Sequence, residues 1–368
     1  MKSNPVVFPF KPFKNLKNRK IKNNVILNVR LSIKELAVLL RSNDLERVVP
    51  TGTTVNEKIF SIFLHPEVYF GPKRFISNKR NDWLEKLNYF TKRRKPILFI
   101  ILSFPGKAPV PFKTNRTMPD FGEVLALKRL RDIVLKVREV YAPGAIIYVI
   151  TEGALGAYIG LSSRETQAYE RELQRLTCLL GWNKYMKFIP IGKLKTLAGF
   201  KHLFVSERKR LKKKFREHDR DTVRKYALAY PSIFHLLNVR NIKQEVLFEL
   251  YSTRGKQSVF AKKSVNALRE KTREAIWNYL AFLVVRDRLR FVEREVPNHI
   301  PLTVSPKPSR LGINLIRKGC DLLPHHGIVV GKTVEYLIDV RRSNRNLIAV
   351  YLDEDREKLP FFYLPLEI

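Results

Sequence analysis

The chain has 368 residues, 45% of them hydrophobic and 11% aromatic, with 70 Lys and Arg against 34 Asp and Glu for a formal charge of +36. That much apolar material excludes general disorder, and the length fits about two domains, or one large domain with additions. Two cysteines, Cys178 and Cys320, exclude a disulfide scaffold and read as reduced thiols of an intracellular protein. The longest strongly apolar run, Pro96 to Phe104, is far shorter than the ~20 residues that span a bilayer. The first residues carry charge without a continuous apolar stretch or a small-residue cleavage site. A basic, cytoplasmic protein with no membrane span and no secretory signal is the expectation.

Residues 1–25 read as a basic, flexible arm rich in Pro, Asn and Lys, and residues 26–95 as an N-terminal helical region. Ser32 with Glu35 three residues on forms a capping-box pattern, followed by Leu36, Leu39 and Leu40 at helical spacing. Residues 96–195 read as a Rossmann-like α/β core. Ile97 to Leu102 is a continuous apolar run of the kind a strand buried on both faces shows. After a proline-rich loop, Asp120 and Glu123 stand at cap and third position of a helix over about 121–140. Ala145 to Ile150 is a second buried strand, so strand, crossover helix and strand make a βαβ unit with a parallel sheet. A helix near 163–180 and a strand near 186–191 continue the alternation, and Cys178 within LTCLLGW reads as a core position. Residues 196–368 read as a helical segment followed by a small β-rich region packed on the core. From Ile300 the short strands suggest a mostly antiparallel sheet.

In open α/β sheets ligands sit beyond the carboxyl ends of the strands, which selects two loops here. The first carries Lys107, after a Pro-Gly, and runs to Asp120; the second carries Glu152. A lysine there can bind phosphate, polarise a carbonyl or act with a lowered pKa, or be an ordinary exposed loop lysine. Capping is the plain structural role for Asp120 and Glu123, whereas Glu152 directly after a strand is hard to explain by packing. His325 and His326 are adjacent before an apolar run; on a strand they would point to opposite faces, so at most one faces a site. Arg286, Arg288 and Arg290, spaced by two, would line one face of an extended stretch and suit a phosphate or carboxylate. P-loop, dinucleotide-binding, nucleophile-elbow and HExxH patterns are all absent from the sequence. No metal site is assigned.

The charge offers a second class of function. Residues 1–34 contain no acid, and Arg208 to Arg216 form a second basic cluster between helical patterns. Both fit solvated faces or non-specific polyanion binding. No zinc-finger, RNP1-like or KH pattern accompanies them.

The segments FPGKAP, MPDFGEVLALKRL and VYAPGAIIYVITEG, followed in order by Val285-Arg286-Asp287, LTVSP, GINL and Pro324-His325-His326-Gly327, resemble the pyoverdine/dityrosine biosynthesis family over about residues 96–335. Glu152 stands where the family has Asp, Ser305 where it has His, and His325 where it has Trp. Characterised members of that family are isonitrile (isocyanide) synthases. The resemblance implies an enzyme of secondary metabolism that joins the α-amine of L-Tyr or L-Trp to a carbon from ribulose 5-phosphate. It implies carbon–carbon lyase chemistry, no redox cofactor, and a downstream iron/2-oxoglutarate oxygenase as pathway partner. In that setting Lys107 is assigned to phosphate or carbonyl contact, and Asp120 and Glu152 to proton transfer or the substrate ammonium. His326 becomes a second acid/base, Arg286 an anion clamp with His325 near the substrate, and Glu123 a supporting or capping group. The alternatives are a catalytically divergent member that binds nucleic acid, and a different sugar-phosphate or amino-acid enzyme on the same fold.

Overall fold

The structure, a computed structural model, describes residues 27–104, 106–107, 113–159, 162–241, 259–305, 307–320, 322–343 and 345–366. The expected basic arm 1–25 lies outside these residues. In chain order the elements are β1 (Leu27–Leu31), α1 (Ile33–Leu39), α2 (Val55–Leu64), α3 (Arg80–Thr91), β2 (Ile97–Ser103), α4 (Phe121–Val140) and β3 (Ala145–Thr151). There follow α5 (Ser163–Leu179), β4 (Met186–Pro190), and the long helices α6 (Phe200–Arg216), α7 (Arg220–Asn241) and α8 (Val259–Arg288). The chain closes with β5 (Ile300–Thr303), β6 (Leu311–Gly312), β7 (Ile328–Val330), β8 (Thr333–Glu335), β9 (Leu347–Leu352) and β10 (Phe362–Pro365).

The α/β expectation holds. A five-stranded sheet has the order β4-β3-β2-β5-β6, with every neighbouring pair parallel. β2 shows why a strand in its centre must be apolar on both faces. Ile97, Phe99 and Ile101 enter one hydrophobic cluster with α4 and the N-terminal helices, while Ile100 enters another with Phe282 and Val285 of α8. α4 and α5 therefore cover one face, and α6 and α8 the other.

Strand order also fixes the switch point of this sheet. The chain runs outward from β2 through β3 to β4, then crosses the far face through α6–α8 and returns as β5 on the opposite side of β2. The connections leave β2 and β5 in opposite directions, so the crevice where ligands bind lies beyond the carboxyl ends of these two strands.

The C-terminal region differs from expectation in two respects. The segments at Ile300 and Gly312 join the parallel sheet as β5 and β6, and the remaining strands form a mixed sheet, β1-β9-β10-β7-β8. In that sheet β1–β9 and β10–β7 are parallel, and β9–β10 and β7–β8 antiparallel. The helical region 26–95 thus begins with a strand that pairs with the end of the chain. Sequence periodicity reports burial, not the distant partner, so this pairing was not readable.

α4 lies between the two sheets, its Phe121 ring stacked on Phe362 at 4.2 Å between centroids. Because nearly all of this helix is buried, its polar residues need partners inside the protein. Lys128 pairs with Asp132 and Asp44, Arg131 with Asp132, and Arg129 donates twice to the Ile316 carbonyl. The Arg208–Arg216 cluster lies within α6, not between helices. Arg208 and Lys212 pair with Glu274 of α8, and Arg210 with Glu207. Cys178 is exposed, not in the core: the buried stripe of α5 runs through Tyr169, Leu173, Leu176 and Thr177, and the next residue turns outward.

Candidate active site

β2 ends in a sharp change of direction. Phe104 has φ 57° and Gly106 φ 104°, both in the left-handed region. Gly106 takes that conformation without a Cβ penalty, whereas Phe104, fully buried, is held there by its surroundings. The turn sends Lys107 inward, and its side chain has no exposed surface.

The Lys107 ammonium lies between two carboxylates at the start of α4. It donates a short hydrogen bond to Asp120 and is 3.1 Å from a Glu123 oxygen. The same two acids cap the helix: Asp120 accepts from the Gly122 amide at 2.8 Å and Glu123 accepts from the Asp120 amide at 3.0 Å. The capping pattern legible in the sequence is real, and so is a charged role beside it. The Tyr169 hydroxyl of α5 donates to the other Glu123 oxygen at 3.1 Å. Burial drives the Glu123 carboxyl up to about 7, with Lys107 opposing and the Asp120 charge assisting. Burial and the neighbouring Glu123 push the Tyr169 phenol well above its usual range, so it remains a donor.

His325 and His326 sit in a short 3-10 turn, Pro324–His326, packed against the N-terminus of α4. The expectation that they point apart fails because the segment is a turn and not a strand; their rings are 4.2 Å apart. Gly327 lets this turn approach β8, since a Cβ there would lie 2.2 Å from the Glu335 carbonyl oxygen. Burial, with His326, Lys107 and Lys113 nearby, holds the His325 pKa well below its usual value. Burial and Lys113 hold His326 at about 4. Both rings are neutral at physiological pH. Burial also lowers the pKa of Lys113, a half-buried residue. Lys113 and Tyr169 escaped the sequence reading: one lies in an irregular loop, and the other looks like an ordinary core aromatic.

Glu152 belongs to a second constellation. It follows β3, its amide donating to the Ser103 carbonyl at the end of β2. Burial raises its carboxyl, opposed by Arg286, Arg310 and Lys307 in that order. Tyr279 of α8 lies within its electrostatic reach, its phenol pushed up to about 12 by burial and by the Glu152 charge. Arg286 is buried in the last turn of α8 and bonds Asp287 at 2.8 Å. The expected three-arginine face does not form. Residues two apart on a helix point in different directions; Arg288 pairs with Glu207 at 2.6 Å, and Arg290, with φ 49°, stands before the short helix Phe291–Glu295 without a side-chain capping bond. Arg310 and Lys307, from the loop after β5, were not singled out in the sequence because loop cations in a chain this basic carry no local signal.

The site residues therefore fall into two groups around the β2/β5 crevice. Lys107, Asp120, Glu123 and Tyr169 form a sealed cluster under the histidine turn. Glu152, Arg286, Tyr279, Lys307 and Arg310 form a more open one. Among the described residues, no group of three or more His, Cys, Asp or Glu is arranged to hold a metal ion. None of the described helices is long and apolar enough to cross a membrane.

Residues 87–347, which include both clusters, match the family described as pyoverdine/dityrosine biosynthesis protein. The chain belongs to that family. It is 36% identical over 94 residues to the L-tryptophan isonitrile synthase AmbI2 of Fischerella ambigua, a match covering 25% of this chain and 28% of that protein. It is 32% identical over 92 residues to the L-tyrosine isonitrile synthase of Pseudomonas aeruginosa, covering 25% of this chain and 28% of the relative. Isocyanide synthase A of Aspergillus fumigatus is 31% identical over 157 residues, 41% of this chain and 25% of that one. The alignments thus span between a quarter and three-tenths of the length of these relatives. The crystal structure of PvcA from Pseudomonas aeruginosa superposes with a TM-score of 0.66 at 17% identity, covering 84% of this chain and 99% of that one. That likeness establishes a shared fold.

Proposed function

We propose that this family member is an isonitrile synthase-type enzyme that acts on the α-amine of an aromatic L-amino acid, Tyr or Trp, with ribulose 5-phosphate as carbon donor. The observation that carries the reading is the sealed Lys107–Asp120–Glu123–Tyr169 cluster beneath two neutral histidines, in a chain whose relatives are named isonitrile synthases. An α-ammonium must lose a proton before its nitrogen can attack a ketone, and later steps must return protons to leaving oxygens. Neutral His325 and His326 are acceptors for such a proton. Glu123, whose carboxyl burial drives up to about 7, lies in the cluster beneath them and can hold a proton near neutral pH.

In this reading Lys107 takes a different part from the phosphate or carbonyl contact that the family resemblance implies. Its ammonium is enclosed by two carboxylates, so a phosphate would have to displace both. In this reading it holds Asp120 and Glu123 together and sets their charge, which makes it a positioning residue. Asp120 and Glu123 act through the histidines, and Glu152 with Arg286 faces the anionic parts of the substrates.

The test is incubation of the purified protein with each aromatic L-amino acid and ribulose 5-phosphate, read by the isonitrile infrared band and product mass. Product with Tyr or Trp supports the reading. Absence of product with every aromatic amino acid removes it.

A further inference from the structure

The sheet places the ligand crevice between the loops after β2 and β5. The β2 loop brings Lys107, which is already neutralised. The β5 loop brings Lys307 and Arg310, held in a tight turn in which the Arg310 amide donates to the Lys307 carbonyl at 3.2 Å. Beside them stands Arg286 from the end of α8, the helix that packs Phe282 and Val285 onto Ile100 and Ile150 of β2 and β3. Arg286 lies within electrostatic reach of both Lys307 and Arg310, so three cations from two separate segments gather at this end of the sheet.

Their state of pairing is what distinguishes them. Other buried cations have partners: Lys107 and Lys128 two carboxylates each, Arg116 both Asp355 and Glu357, and Arg129 the Ile316 carbonyl. Among the described residues neither Lys307 nor Arg310 has a carboxylate within ion-pairing distance, and Arg286 has only the exposed Asp287. Glu152 lies within electrostatic reach of all three and offsets part of their charge. Burial first, and then repulsion from Arg286, lowers the pKa of Arg310; burial, and then repulsion from Arg310 and Arg286, lowers that of Lys307. Like charges brought together without a partner are unfavourable unless an anion joins them.

We propose that Arg310, Lys307 and Arg286, at the β2/β5 switch point, form the binding site for a phosphate monoester dianion. This rests on the proposed function insofar as the ester is the phosphate of ribulose 5-phosphate. Two guanidiniums give forked contacts to phosphate oxygens, and the exposed Lys307 adds a mobile point charge at the mouth. A dianion bound there favours the protonated form of Glu152, which then stands as a proton donor beside the phosphate. The site leaves Lys107 free of any phosphate role.

The experiment measures binding of ribulose 5-phosphate, inorganic phosphate and unphosphorylated ribulose to the full chain by calorimetry, with an aromatic amino acid titrated separately. The variants are Lys307→Gln, Arg310→Gln and the double change, with Lys209→Gln on α6 as a control for general charge. Losing one charge-assisted contact is expected to weaken phosphate-ester binding about tenfold, and the double change about a hundredfold. Amino-acid affinity should stay within about twofold, and preference for ribulose 5-phosphate over ribulose should collapse. Lys307 is exposed, so its variant folds even if the Arg310 variant does not. Phosphate-ester binding within about twofold of wild type in the Lys307 and double variants overturns the assignment, as does a wild-type protein that does not distinguish ribulose 5-phosphate from ribulose. Arg310-dependent phosphate binding in a protein that makes no isonitrile would support the site while removing the proposed function.

Discussion

Two charged clusters lie at the carboxyl end of one parallel sheet, and they are built on opposite terms. Around Lys107 every charge has an opposite charge or a hydrogen bond, and nothing reaches solvent. Around Glu152 the cations outnumber the carboxylates, and two of them come from a loop and have no carboxylate partner among the described residues. The first arrangement is complete as it stands and contributes to folding. The second gains most when an anion arrives. Burial and charge alone do not make a ligand site; the state of pairing separates the two.

The largest expected effect lies in the sealed cluster. Lys107→Met leaves two buried carboxylates facing each other and should cost about 3–5 kcal/mol, seen as a large loss in denaturant midpoint. Arg310→Gln in the open cluster should change stability by no more than about 0.5 kcal/mol, because it removes repulsion as well as charge. Equal losses from the two substitutions would erase the contrast.

Asp120 sharpens it, because it both caps α4 and pairs with Lys107. Asp120→Asn keeps the cap and loses the charge, whereas Asp120→Ala loses both. The alanine variant should be less stable than the asparagine variant by about 1 kcal/mol, the usual worth of an N-cap. Urea unfolding of the pair checks this, and identical midpoints would mean the cap contributes nothing here.

Glu123 gives the contrast a pH dependence. Its folded pKa, about 7, lies above the model-peptide value of 4.5. Between those values the folded chain holds a proton that the unfolded chain releases. The stability from that proton is therefore full below 4.5 and is lost as pH rises through 7. Glu123→Gln mimics the protonated form and should gain on wild type between pH 5 and 8, on the order of 1–3 kcal/mol. Parallel melting curves at the two pH values would contradict this. The smallest effect belongs to the surface: Glu274→Ala, which removes the partner of Arg208 and Lys212, should cost less than about 1 kcal/mol.

What was legible in the sequence was local. The Asp120–Glu123 capping box, the burial of β2 on both faces and the βαβ unit are set by residues a few positions apart, and each is present. Lys107 could be picked out because a Pro-Gly preceded it, but not its partners, which depend on how the loop folds back on the helix. The histidine pair was misassigned in geometry because an apolar run after it suggested a strand, while Pro324 opens a helical turn instead. Arg310 and Tyr169 were invisible, since each matters through residues far along the chain, Arg310 near Glu152 and Tyr169 on Glu123. The β5 loop gains its meaning only from strand order, and strand order is a tertiary fact.

The most direct test of the central claim follows the fate of one carbon. Purified protein is supplied with L-Tyr or L-Trp and with ribulose 5-phosphate carrying carbon-13 at every position. The account predicts an isonitrile one mass unit heavier than the unlabelled product, with the added carbon in the isonitrile group. An isonitrile without the label, or none with any aromatic amino acid, would contradict it.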